Sequence, residues 1–150
     1  MATYTKYNTF VGDLAGGSHD LIGTAGSTAN TVNVALSNTA PNAATHTVLA
    51  DITEIAAGNG YSAGGASTAN VGSNTSGTVT VTSTNVTFTA ATSSMATFRY
   101  VVAYNVTQTS PNKPLIAYWD YGAALTLAVG ESLTVKFNGG ASSGTLFTLT

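Results

Sequence analysis

The apolar residues of this chain alternate with polar ones far more often than they recur at helical spacing. In "TVNVALSN", Val32, Val34 and Leu36 fall on one face of an extended segment that "SNTAPN" then ends with turn-forming residues. In "TFRYVVAYNV", Phe98, Tyr100, Val102, Tyr104 and Val106 share one side, and Arg99, Val101, Ala103 and Asn105 share the other. "PLIAYWDYG" is apolar on both faces, as a central strand requires. "GTVTVTSTNVTFTA" shifts phase: Val79 and Val81 occupy odd positions, Val86 and Phe88 even ones. A one-residue slip flips the exposed face, so a turn or bulge is expected between Ser83 and Asn85. "ALTLAVGESLTVKFNG" reads as a hairpin turning at Gly130-Glu131, and "GTLFTLT" as a last strand.

Helical spacing is confined to the start. Phe10, Val11 and Leu14 follow Asn8 or Thr9 as candidate N-caps, and Gly16-Gly17 stops the run, which predicts one short helix. "AGSTAN" reads as a linker, and "THTVLADITEI" fits either a strand or one helical turn. Residues 56–77, "AAGNGYSAGGASTANVGSNTSG", carry few apolar side chains and read as a long Gly/Ser/Asn-rich loop. Seven or eight short strands with regular turn signals and no intervening helices predict an all-β, antiparallel β-sandwich, jelly-roll-like, with residues 1–150 forming a single domain.

Composition sharpens this picture. Only 7% of residues are Asp, Glu, Lys or Arg, against about 25% in ordinary soluble domains. With 43% apolar residues the chain can still bury a core, so Thr, Ser, Asn and Gly must build its polar surface. A surface so poor in ions can be covered by another protein with little charge desolvation, which favours a life in contact with other subunits. Lys6, Arg99, Lys113 and Lys136 lie far apart in sequence, which argues against phosphate-backbone binding and hence against a nucleic-acid partner. No apolar run is long enough to span a membrane, and "MATYTKYNTF" lacks the features of a secretory signal. With no cysteine, disulfides, thiolate zinc sites and thiol catalysis are excluded. The sequons at Asn74, Asn85 and Asn105 read as chance in so Asn- and Thr-rich a chain.

Gly60-Tyr61-Ser62-Ala63-Gly64 spells the G-x-S-x-G nucleophile elbow. An elbow needs a strand before its serine and a helix after it. Here "AAGN" precedes and "GASTANVGSN" follows, and His19 and His46 both precede Ser62. The match is accidental on this reading, no catalytic residue is assigned, and no enzymatic activity is expected. Asp51 is expected to cap a turn, Glu54 to be solvated or paired with a lysine, and His19-Asp20 to serve turn chemistry. The acidic residues lack the density of a calcium loop, so neither a metal nor a cofactor is expected. Asp120 is the carboxylate flanked by aromatics, Trp119 and Tyr121, although aromatics on neighbouring strands usually pack as cross-strand pairs. Trp119 is therefore expected to be largely buried. Within 56–77, Asn59, Tyr61 and Ser62 are the expected interface residues, with Tyr61 as the anchor of a loop that orders against a partner.

Taken together, "KYNTFVGDLA", "VALSNTAP", "TVLADITEIAAGNGYSAGG", "PLIAYWDYG" and "GESLTV" resemble a family of small virion proteins of tailed bacteriophages. The likeness spans the chain outside roughly residues 66–95, and departs from the family in "AGGSHDL", where relatives carry more charge. It implies a non-enzymatic component of the particle, made in the bacterial host cytoplasm. The implied role is a capsid decoration (cement) protein lying over joints of the major capsid protein, as a homo-oligomer and often a trimer. A tail or fibre component with a carbohydrate- or host-surface-binding role is the alternative.

Overall fold

A computed structural model describes residues 2–23 and 28–150; half of the linker expected at 25–30, residues 25–27, lies outside them. Ten strands run β1 (Thr3–Lys6), β2 (Val32–Ser37), β3 (Ala66–Thr68), β4 (Asn70–Thr75), β5 (Thr78–Thr84), β6 (Val86–Thr89), β7 (Phe98–Asn105), β8 (Leu115–Leu125), β9 (Ser132–Val135) and β10 (Ser143–Leu149). They form antiparallel sheets ordered β1-β8-β7-β2-β3, β10-β5-β4 and β6-β9. The protein is an all-β sandwich, and its lone α-helix among the described residues, α1 (Phe10–Ala15), is short, as the sequence predicts.

The five-stranded sheet is buried on both faces. One face contributes Val32, Val34, Leu36, Phe98, Ala103 and Ile116 to a core completed by Val81 and Leu146 of the three-stranded sheet and by Val86 and Phe88 of the ribbon. The other face presents Ala35, Val102, Tyr104 and Leu115, covered by Tyr7, Leu49 and Ile52. Two buried faces explain why β2 and β7 are apolar at most positions and not only at alternate ones. The phase shift at Ser83–Asn85 is a break between strands. Asn85 separates β5 from β6, which belong to different sheets, and its Nδ2 donates to the carbonyls of Gly140 and Ala141 at 3.1 and 3.0 Å.

Four expectations change. Phe98 lies on the face of Val101 and Ala103 and not with Val102 and Tyr104, because the pairing with β8 shifts register between Phe98 and Tyr100. The turn at Gly130-Glu131 forms, with Glu131 N–H donating to Ala128 at 2.9 Å, but no 125–137 hairpin does: β9 pairs with β6, not β8. Leu133 lies opposite Phe88 in that pairing, and an apolar strand fits either neighbour equally well. Residues 56–77 are not one loop, because 66–68 and 70–75 are β3 and β4. Their small polar residues concealed strands that pair along the backbone. Of His19-Asp20, expected to serve turn chemistry, Asp20 does so, while His19 is buried and packs inward.

His19 packs against the Phe10 ring, 5.2 Å between centroids, and its Nδ1 lies 3.2 Å from Asn105 Nδ2. The Asn105 amide also donates to Ser18 O and Asn30 Oδ1, while its Oδ1 accepts from the N–H groups of Thr107 and Gln108. An amide nitrogen does not accept, so this contact favours a neutral ring over a charged one. Burial pushes its pKa down to about 4 from 6.5. The unfolded chain therefore binds a proton near pH 6.5 that the folded protein refuses until about pH 4. Stability is complete above pH 6.5 and falls as pH drops through that window, by about 2 kcal/mol at pH 5 relative to pH 7. Urea unfolding at pH 7, 6 and 5 should show this loss, and His19→Gln should flatten it.

Candidate functional site

The three residues expected at an interface sit in "GNGYSAGG", and the structure places them differently. Gly58 and Tyr61 exchange backbone hydrogen bonds of 2.8 and 3.0 Å, closing a two-residue turn in which Asn59 and Gly60 both have positive φ, 52° and 98°. This is the type I′ geometry that Asn-Gly favours, so the dipeptide was the sequence signal for a tight hairpin here. Asn59 is engaged internally: its Nδ2 donates to Ser94 O and its Oδ1 accepts from the Thr92 hydroxyl.

Tyr61 is no exposed anchor. It is 3% exposed, packs against Phe88, donates its hydroxyl to Glu54 Oε2 at 2.5 Å and accepts from Leu36 N–H at 3.2 Å. The same Glu54 oxygen accepts the Gly64 N–H at 2.7 Å, and the Tyr104 hydroxyl donates to Gly64 O at 2.7 Å. Glu54 is thus half-buried and has no lysine partner among the described residues; it joins the turn to the sheet. Ser62 is exposed, its carbonyl accepting from Gly65 N–H. Neither histidine is bonded to Ser62: His46 Nδ1 accepts from Asn42 N–H, and His19 faces Asn105.

Four further carboxylates are engaged as well, three in turns and Asp120 chiefly in an ion pair. Asp51 Oδ2 accepts from the Thr47 and Val48 N–H groups, which hold its pKa below the usual range, as expected of a cap. Asp20 accepts from Gly23 N–H and Glu131 from Ala128 N–H. Asp120 takes a two-pronged grip from Arg99, at 2.7 and 2.8 Å, and a further bond from Gly122 N–H. Arg99 first and then that amide depress the Asp120 pKa.

The open surface of interest lies elsewhere. A groove of about 890 Å³ runs between β1 and β10. Ala2, Tyr4 and Lys6, one face of an extended segment, form one wall, and five consecutive residues, Thr145 to Leu149, form another. Trp119, expected to be largely buried, packs against the core and keeps part of its ring open to the groove, opposite Tyr4. Tyr4 meets it edge-on at 5.5 Å and Phe137 supports its other side at 5.6 Å. A smaller cavity of about 260 Å³, bordered by Arg99, Tyr121 and Leu133, adjoins across the shared Trp119 and Lys136. Three of the four cations of this chain, distant in sequence, therefore border one surface around Trp119. Arg99 is paired with Asp120; Lys6 and Lys136 have no ion pair among the described residues. Sequence spacing concealed this cluster, since Lys6 and Lys136 meet only through the packing of separate sheets.

The fold and these surfaces define a class: an antiparallel all-β sandwich with internally committed carboxylates and an aromatic groove bordered by lysines. No protein-family model, curated protein or solved structure matches the chain.

Proposed function

We propose that this protein is a structural virion component of a tailed bacteriophage, a capsid decoration protein that binds over joints between major capsid subunits and stabilises the shell. What carries the reading is where the charge goes. Of six acidic residues, Asp20, Asp51, Glu54, Asp120 and Glu131 each hold a turn or an internal partner. The exposed face of the β6-β9 ribbon is instead built from hydroxyl pairs, Thr87 with Thr134 at 3.0 Å and Thr89 with Ser132 at 2.7 Å. A partner covering such a face desolvates few ions, and stripping an unpaired ion of water costs several kcal/mol. The sequence resemblance supplies the kind of partner, a multi-copy capsid lattice, on which the protein sits as a homo-oligomer, with a trimer favoured.

Purified protein mixed with shells assembled without it should co-sediment and saturate at a fixed ratio to the major capsid protein. Saturation at only one vertex, or at the tail, would move the assignment to a tail or fibre component.

A further inference from the structure

We propose that the groove around Trp119 binds an extended segment of a partner protein in which apolar side chains alternate with carboxylates. The inference rests on the reading above, that the protein works by binding another protein, and names the chemistry of the partner segment.

Three observations converge on that occupant. First, the groove is bordered by β1 and β10, each the last strand of its sheet. Among the described residues no strand pairs with the outer side of either, so each has main-chain groups on that side with no strand partner. An extended peptide satisfies such groups by adding as a further strand. Second, β10 carries a bulge between Thr145 and Phe147. Bulges re-aim side chains beside binding sites, and here Leu146 enters the core while Phe147 packs edge-on against Phe10 at 5.0 Å. Third, the charge is one-sided. Lys6 and Lys136 border the groove without a carboxylate partner among the described residues, while the nearby Asp120 is held by Arg99. An apolar trough between unpaired ammonium groups complements a segment whose alternate residues are apolar and acidic, because a strand sends successive side chains to opposite sides. Tyr4, 43% exposed, and half-buried Trp119 supply the aromatic contact surface that dominates such interfaces.

Selection of a displayed random heptapeptide library on the immobilised protein tests this. The expected result is enrichment of sequences with alternating apolar and acidic residues. The tightest synthetic winner should shift amide resonances of β1 and β10 and lose affinity about tenfold or more on Lys6→Glu/Lys136→Glu. Both lysines are exposed and have no ion pair among the described residues, so this double variant should keep the wild-type unfolding midpoint. Trp119→Phe, which keeps an aromatic ring, should weaken binding less than Trp119→Ala. No enrichment over the double variant, or winners that bind away from β1 and β10, overturns the proposal. So does selective retention of an acidic oligosaccharide by wild type but not the double variant, which would make the groove a saccharide site. Shell binding that survives in the double variant would leave the proposed function standing and remove the groove from it.

Discussion

Tyr61→Ala should lower folding stability by about 3–5 kcal/mol, the usual cost of emptying a buried large aromatic site. For a chain of this size that is a drop of roughly 10 °C or more in the thermal midpoint. Tyr61 packs against Phe88 and bonds both Glu54 and Leu36. Truncation would leave a cavity, an unbonded Leu36 N–H and a Glu54 carboxylate held only by Gly64. Tyr61→Phe separates the contributions. It keeps the ring and removes the hydroxyl, so its loss should be about 1–3 kcal/mol, the penalty for stranding buried polar partners. Urea unfolding of the three proteins checks the order. A near-neutral Tyr61→Ala, with the side chain protected only on partner binding, would restore Tyr61 as an interface anchor.

Gly65→Ala should be nearly as damaging, at about 3 kcal/mol or more, from overpacking and left-handed backbone strain combined. Gly65 has φ +70°, and a Cβ there would overlap the backbone of Val34 in the interior strand β2. Gly77, at φ +83° with open space around it, is the matched control. Gly77→Ala carries the strain without the overlap and should lose only about 1 kcal/mol. Equal effects at the two positions would show that backbone strain alone, and not the approach to β2, makes Gly65 necessary.

The two variants locate what could be read from the sequence. β2, β7 and β8 were legible because alternation and two-faced apolar runs report burial directly: Val32, Val34 and Leu36 are fully buried. The break at Asn85 was legible because a phase flip admits few explanations. β3 and β4 were not, because "AST" and "NVGSNT" contain almost no apolar residues. They pair through main-chain hydrogen bonds to β2 and β5, and Val71 on β4 is 68% exposed. The pairing of β9 with β6 was hidden too, since apolar periodicity defines a face and not a neighbour. In the candidate sites, Asn59-Gly60 was the readable signal for a tight turn, while composition pointed to a loop. The Lys6–Trp119–Lys136 surface had no local signature, since tertiary packing alone brings those residues together.

Thermal rupture of particles tests the central claim most directly. Shells lacking the protein and shells to which it has been restored should be heated side by side while genome release is followed with an impermeant dye. A ligand that binds only the assembled state stabilises it in proportion to the logarithm of its concentration over Kd. Bare shells should form but release their genome at a lower temperature, and added protein should restore the midpoint in a saturable manner. Identical rupture curves with and without the protein, at saturating concentration, would contradict that claim.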